Sequence, residues 1–262
     1  MNVIPIMPAD RPWTHVCDQG RFRVRISTTP DDVVAARRLR ALAFRGKTTA
    51  ADCAAEADPF DLACSHVLVE DVASGHLAGC CRVFAMPDGG HVAGSYSAQL
   101  HDLTRLQSCA MAMLEIGRFC IHPETGSHDV ARLLWAAIAA IVETNAVGLI
   151  FGCTSFAGTS ATPYRDVFAY LATHHRAPDR WAPAPRTGPV IALDATAGFD
   201  TRRALRSMPS PLRTYLALGA WVGGHAVVDR DLNTLHVFTG LPVAGIAPRR
   251  KQFFRLGLAT DH

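Results

Sequence analysis

The chain has 262 residues, of which 49% are hydrophobic and 19% are charged, so its length allows a sizeable core and its composition excludes global disorder. The formal net charge of +3 is too small to indicate a nucleic-acid-binding protein. The 8 cysteines form no C-x-x-C pair, and the chain has no signal-peptide pattern and no apolar run of about 18 residues. We therefore expect a reduced, intracellular protein without a transmembrane span.

The N-terminal region begins with residues 1–20, where prolines and weak periodicity predict an extended arm, and continues with a half-exposed strand over residues 22–26. A helix is predicted from Thr29, because threonine can cap a helix and Pro30 suits its first turn. A basic cluster follows along this helix and beyond it: Arg37, Arg38, Arg40, Arg45 and Lys47. It is typical of a solvated helix face, and the alternative is a docking patch for an acidic partner.

Two aspartates, Asp58 and Asp61, flank a Pro-Phe pair and predict a loop that presents carboxylates. Such a loop is a solvated turn more often than it is a site. Two strands are predicted next, over residues 66–70 and 77–84. The second strand carries Arg82 between apolar neighbours.

The stretch 113–123 is the one around which we expect the functional site to form. It is largely apolar and ends at a proline, which predicts a strand that runs into a turn. Glu115 and Arg118 lie inside it, three residues apart, and point to opposite faces of a regular strand unless a β-bulge intervenes. Two interpretations stay open: a structural charge pair that closes a loop, or a carboxylate base beside a bound substrate.

A helix with a clear 3.6-residue apolar stripe is predicted over residues 127–145, and a short buried strand over residues 148–154. Together with the preceding strand they predict a right-handed crossover between parallel strands. His174-His175 has no partner ligands at a useful spacing, so we expect no metal site. Further predicted elements are helical segments near 164–174 and within 202–222, and a closing strand at 235–243.

The whole pattern mixes strands with interposed helices and shows no composition break. We therefore predict one α/β (α+β) domain over residues 21–248, with a central mixed sheet flanked by helices. The basic tail at residues 249–262 contains two phenylalanines and is a candidate for contact with a membrane surface.

A spaced set of charged and aromatic residues resembles the fingerprint of acyl-homoserine-lactone autoinducer synthases: Leu39-Arg40-x-x-x-Phe44, Asp58-x-x-Asp61, Arg82 and Glu115-x-x-Arg118. Longer motifs resemble bacterial L-ornithine N(α)-acyltransferases more closely: Phe60–His66, Leu114–Glu124, Phe151–Thr159 and Tyr215–Gly223. The resemblance implies the GCN5-related N-acyltransferase (GNAT) fold. It also implies transfer of a 3-hydroxyacyl group from acyl carrier protein to the α-amine of L-ornithine, which gives lyso-ornithine lipid.

The resemblance also implies roles for individual residues. Glu115 is the candidate base in the otherwise apolar strand, and the backbone N–H groups near Phe119 and Cys120 are candidates for stabilising the oxyanion. The candidate substrate-binding residues are Arg118 or Arg82 for the carboxylate of ornithine, Asp58 or Asp61 for its second amine, and the fingerprint residues Arg40 and Phe44. In the autoinducer relatives the matching charges also hold the N-terminal region, so structural and catalytic duties stay unresolved.

The loop at residues 123–129 bears on the acyl donor. It offers only Gly126 and includes Glu124 and Asp129, so it suits the pyrophosphate of coenzyme A poorly. A carrier-protein donor agrees with this loop, because 4′-phosphopantetheine then arrives on the carrier and no tightly bound cofactor is needed. Acyl carrier proteins are acidic, which favours docking at Arg37, Arg38, Arg45 and Lys47.

Three rival functions stay open on the sequence. One is an N-acyltransferase for another amine, such as glutamine, lysine or a homoserine-lactone precursor. Another is a catalytically silent relative that binds acyl carrier protein or membrane, and the weakest is a coenzyme-A-dependent acetyltransferase. We expect a cytoplasmic location, with or without peripheral contact to the inner membrane.

Overall fold

The computed structural model describes residues 13–125, 127–186 and 188–246. The strands within them are β1 (Trp13–Gln19), β2 (Phe22–Ser27), β3 (Ser65–Asp71), β4 (His76–Met86), β5 (His101–Asp102), β6 (Met113–Ile121), β7 (Leu149–Ala157), β8 (Ala184–Pro185), β9 (Val190–Ala192), β10 (Trp221–Asp229) and β11 (Thr234–Pro242). The α-helices are α1 (Pro30–Arg45), α2 (Ala50–Ala55), α3 (Ser97–Leu100), α4 (Ser127–Thr144), α5 (Arg165–His174), α6 (Thr201–Ser207) and α7 (Ser210–Ala217).

The described chain divides into two compact units. The first unit comprises residues 13–85 and Ile116–Val147, and the second comprises Met86–Glu115 and Gly148–Ile246. β6 therefore begins in the second unit and ends in the first. The predicted basic tail at 249–262 lies outside the described residues.

The first unit contains the antiparallel strands β1, β2, β3 and β4, with β6 beside β4. β1 lies within the segment predicted to be an extended arm, and it pairs along β2. α1 starts as predicted: the Thr29 side chain accepts from the backbone N–H of Asp32, and Pro30 occupies the first position. The helix ends at Gly46, whose φ of 68° is left-handed and suits glycine.

The second unit contains β6, β7, β11, β10 and β9 in that order. β6 pairs with β7 in parallel from Met113↔Leu149 to Glu115↔Phe151, which confirms that the two strands are parallel as predicted, whereas the other neighbouring pairs are antiparallel. The predicted mixed sheet with flanking helices is therefore confirmed. Among the described residues, no helix is both long and apolar enough to cross a membrane.

β10 is an element that the sequence analysis did not predict. Its Gly223-Gly224 pair is typical of a loop, but both glycines lie within the strand, where Gly223 is buried and Gly224 is half-buried. A Cβ on Gly223 would lie 2.8 Å from Cγ of Pro183, and a Cβ on Gly224 would lie 2.8 Å from Nη1 of Arg176. The glycines therefore allow Pro183 and Arg176 to pack closely against this strand, and such a contact cannot be recognised from the local sequence.

Candidate active site

An arginine–carboxylate network occupies the first unit. Its members are the acids Glu56, Asp58 and Asp61 and the arginines Arg37, Arg40, Arg45, Arg82 and Arg118. The charged residues of the first fingerprint that lie in this unit thus come together in one network. The network draws on α1, the segment from Glu56 to Asp61 that follows α2, β4 and β6, so folding must assemble four separate parts of the chain to form it.

Asp61 is the centre of this network and is 1% exposed. Its Oδ1 accepts from Nη1 of Arg40 at 2.8 Å and from Nη1 of Arg82 at 3.0 Å. Its Oδ2 accepts from Nη2 of Arg40 and from Nε of Arg37, each at 2.8 Å. Burial by itself raises the pKa of Asp61, but the hydrogen bonds and charge of Arg40, together with Arg37 and Arg82, hold that pKa well below its usual range.

Asp58 connects two arginines to a short 3₁₀ turn at Pro59–Asp61. Its Oδ1 accepts from the backbone N–H of Phe60 at 2.9 Å, which caps the turn. The same oxygen accepts from Nη1 of Arg82 at 2.5 Å, and Oδ2 accepts from Nη2 of Arg118 at 3.2 Å. The predicted carboxylate loop is therefore an organised turn whose acids face arginines.

Glu56 belongs to the network and was missed by sequence reasoning. Its side chain is 0% exposed, with Oε1 2.6 Å from Nε of Arg45 and Oε2 3.6 Å from Nη1 of Arg118. Its backbone oxygen accepts from Nη2 of Arg40 at 3.0 Å. The available signal was its place two residues before Asp58, in a run of three spaced acids.

The backbone of β6 departs from regular strand geometry at Arg118, whose φ is 52°. A non-glycine residue in this left-handed region is strained by about 1–2 kcal/mol. The sequence left open whether a β-bulge separates Glu115 from Arg118, and the irregular backbone lies at Arg118 itself. Strain of this kind is concentrated at functional sites.

Glu115 lies in the second unit and is 5% exposed. Its Oε2 accepts from the backbone N–H of Tyr96 at 2.9 Å, and its Oε1 accepts from the backbone N–H of Ser97 at 2.7 Å. These two N–H groups stand at the start of α3, so the carboxylate holds that segment and is itself stabilised as an anion. Glu115 thus has a structural duty that leaves its role as a base open.

Cys153 lies near this carboxylate and donates its thiol to Oγ of Ser97 at 3.5 Å. Burial, with a further contribution from the charge of Glu115, raises the pKa of Cys153 to about 12. A thiol with so high a pKa is a poor nucleophile. The cysteine therefore suits a packing role.

An aromatic row extends from Glu115 across the second unit. Glu115 is in register with Phe151, Phe151 with Gly240, and Gly240 with Trp221, so these positions share one face of the sheet. Gly240 leaves space for the indole, because a Cβ there would lie 2.4 Å from Cζ2 of Trp221. Phe238 stacks on Phe151 and on Trp221, with ring centroids 5.6 Å and 5.8 Å apart. The candidate base thus adjoins a buried aromatic cluster, in which Phe151, Phe238 and Trp221 are 2%, 0% and 6% exposed.

The predicted docking cluster divides between network and solvent. Arg40 is 0% exposed and cannot be part of a surface, so its inclusion in the basic cluster was wrong as far as docking is concerned. Arg37 and Arg45 direct their guanidinium groups to the acids of the network, while Arg38 and Lys47 are exposed. Phe44, which was predicted to bind substrate, lies on α1 and is 43% exposed.

The chain matches the family model described as an acetyltransferase (GNAT) domain over residues 39–136. It is 30% identical over 250 residues to the L-ornithine N(alpha)-acyltransferase of Brucella abortus, covering 90% of this chain and 89% of that protein. The protein of the same name from Rhodobacter capsulatus is 28% identical over 244 residues, covering 89% and 94%. FeeM, an N-acyl amino acid synthase from uncultured soil microbes, superposes with a TM-score of 0.50 at 12% identity, covering 89% of this chain and 99% of FeeM, and shows a shared fold.

Proposed function

Because this chain belongs to the family of L-ornithine N(α)-acyltransferases, we propose that it transfers a 3-hydroxyacyl group from acyl carrier protein to the α-amine of L-ornithine. The product is lyso-ornithine lipid, so the reaction is the first step of ornithine lipid synthesis. The observation that carries the proposal is the 30% identity to a relative of that name over 90% of this chain. The donor's 4′-phosphopantetheine arrives on the carrier, and we propose no tightly bound cofactor.

In the proposed reaction the ornithine α-amine arrives protonated and loses one proton to Glu115, directly or through one water. The amine nitrogen then attacks the thioester carbonyl carbon, and the carbonyl oxygen becomes an oxyanion. Backbone N–H groups of Phe119 and Cys120 donate to that oxyanion. Collapse of the intermediate breaks the carbon–sulfur bond, releases the phosphopantetheine thiolate and leaves the amide. The amide nitrogen loses its second proton, which neutralises the thiolate.

Burial decides which network members are the better candidates for binding ornithine. Asp61 and Arg40 are almost fully enclosed and bonded to each other, so we assign them to the scaffold. The side chains of Asp58 and Arg118 are 15% and 14% exposed. We therefore propose that Arg118 binds the carboxylate of ornithine and that Asp58 binds its second amine. Arg82, at 3% exposure, is the weaker alternative for the carboxylate.

The aromatic row gives the acyl chain a place consistent with its chemistry. Burying a long alkyl chain against aromatic rings stabilises it by about 0.8 kcal/mol per methylene group. Phe151, Phe238 and Trp221 supply such rings on the face that Glu115 shares. We propose that the donor's acyl chain packs against this row after the rings, which are at most 6% exposed, move apart to admit it.

An assay with purified protein tests the proposed function. Acyl carrier protein charged with 3-hydroxy acids is mixed with a panel of amino acids, and the product masses are read out. We expect N-acyl-ornithine as the main product, and the same acyl group on coenzyme A should react far more slowly. If the main product were N-acyl-glutamine or N-acyl-lysine, ornithine would not be the acceptor. Binding of the carrier protein without any product would favour the catalytically silent alternative.

Charge reversal of the exposed basic residues tests docking of the carrier. We expect Arg38→Glu combined with Lys47→Glu to raise KM for acyl carrier protein about tenfold at low salt, because each exposed charge contributes about 1 kcal/mol or less. The turnover number and KM for ornithine should stay unchanged. Arg230→Glu, an exposed arginine next to β10 in the other unit, is the matched control. If Arg230→Glu raised KM for acyl carrier protein as much as the double variant does, a specific docking surface would be contradicted.

A further inference from the structure

The left-handed backbone at Arg118 needs a restraint, because an arginine does not favour that conformation by itself. Gly117 precedes it, so a chain that needed only flexibility could have placed the left-handed residue one position earlier. The arginine side chain therefore has a part in holding the conformation. Its guanidinium group forms ion pairs with Asp58 and Glu56.

Glu56 is the more deeply buried of these two carboxylates, although Asp58 makes the shorter contact with Arg118. Its side chain is fully buried, whereas that of Asp58 is 15% exposed. Arg45 holds its Oε1 at 2.6 Å, and Arg40 bonds its backbone oxygen at 3.0 Å. Oε2 is left facing Nη1 of Arg118 at 3.6 Å. A buried carboxylate between two guanidinium groups resists movement, because leaving either one uncovers a buried charge.

We propose that Glu56 is a positioning residue for acyl transfer, which fixes Arg118 in its left-handed conformation and so orients the backbone N–H groups of Phe119 and Cys120. This inference rests on the proposed function, in which those N–H groups stabilise the oxyanion. It assigns a role to a residue outside the fingerprint, and that role acts through Arg118.

The segment after Arg118 is restrained from its other side as well. The ring of Phe119 packs near Trp135, with centroids 5.6 Å apart, and Sγ of Cys120 lies 3.5 Å from Sγ of Cys80. The side chains of these two residues are thus held by packing. The direction of the Phe119 N–H depends on the backbone rotation at Arg118, because that N–H belongs to the peptide that joins the two residues. The Cys120 N–H lies one peptide further on and follows from it through the backbone of Phe119.

Turnover of Glu56→Gln is the first test. The substitution keeps the shape and removes the charge that holds Arg118. We expect kcat to fall about tenfold, because the oxyanion contacts act in the transition state. KM for ornithine should rise as well, since Arg118 also binds its carboxylate, whereas KM for acyl carrier protein should change little. Glu70→Gln is the matched control, since Glu70 pairs with Arg25 in the same unit, and it should keep normal turnover.

Substitutions at Arg118 separate backbone positioning from general support. Glycine accepts a positive φ and alanine does not, so Arg118→Gly should retain a higher kcat at saturating ornithine than Arg118→Ala. Adding Glu56→Gln to Arg118→Gly should cost little further turnover, because the proposed link is already absent. An undiminished tenfold loss in that background would overturn the inference.

Amide hydrogen exchange of residues 116–121 gives a readout that does not need activity. We expect exchange to be faster in Glu56→Gln than in wild type and unchanged in Glu70→Gln. If exchange is unchanged in both variants, Glu56 does not position this backbone, whatever the assay shows. If wild type forms no N-acyl-ornithine, the proposed function fails, and the exchange experiment still decides the role of Glu56.

Discussion

Glu115→Gln is expected to lower turnover by about 10²-fold or more, the range typical of general acid–base catalysis, while the protein stays folded. The ornithine amine must lose a proton before it attacks, and the amide of glutamine cannot accept that proton. The pH profile of kcat/KM gives the decisive measurement. Wild type should lose activity on the acid side as the base becomes protonated, and the residual activity of the variant should lack that limb.

The second duty of Glu115 requires a control. The carboxylate holds the start of α3 through the N–H groups of Tyr96 and Ser97, so a substitution also loosens that segment. Ser95→Ala loosens the same segment without touching the carboxylate, because Oγ of Ser95 accepts from the backbone N–H of Ala98 at 3.2 Å. Comparable losses in both variants would assign Glu115 to structure, and near-normal turnover of Glu115→Gln would remove it as the base.

The elements predicted best were those with strong local signals. α1 combines a side-chain cap with a proline at its start, and α4 carries a long apolar stripe, so both were located from sequence. β1 and β10 were missed, because prolines precede one and a glycine pair lies in the other. Pairing with neighbouring strands overrides these local signals, and pairing is not visible in a single sequence.

The sequence predicted which residues belong to the site better than it predicted how they are arranged. The fingerprint named Asp58, Asp61, Arg82 and Arg118, but it did not show that Asp61 receives three arginines or that Arg40 is buried beneath them. These facts depend on contacts between residues about 20 or more positions apart along the chain. A run of charges has the same sequence whether it faces solvent or a buried partner, and only the fold decides between the two.

Asp61→Asn is expected to destabilise the protein by about 3–5 kcal/mol at pH 7, because it leaves buried Arg40 without its main counter-charge. Urea unfolding measures the change. Asp129→Asn is the matched control: its side chain is 67% exposed beside Arg132, and its effect should stay within about 0.5 kcal/mol. A loss below about 1 kcal/mol for Asp61→Asn would mean that Arg40 finds another partner.

The difference in unfolding free energy between wild type and Asp61→Asn should shrink as the pH falls. The pKa of Asp61 is lower in the folded protein than in the unfolded chain, so its charge stabilises the fold fully above the unfolded value of about 3.9. That stabilisation is lost as the pH falls toward the lower folded value. The stability gap between wild type and Asp61→Asn should therefore be constant from about pH 7 to 5 and narrow below about pH 4. A gap that persists unchanged into acid would show that the loss comes from packing rather than from the charge.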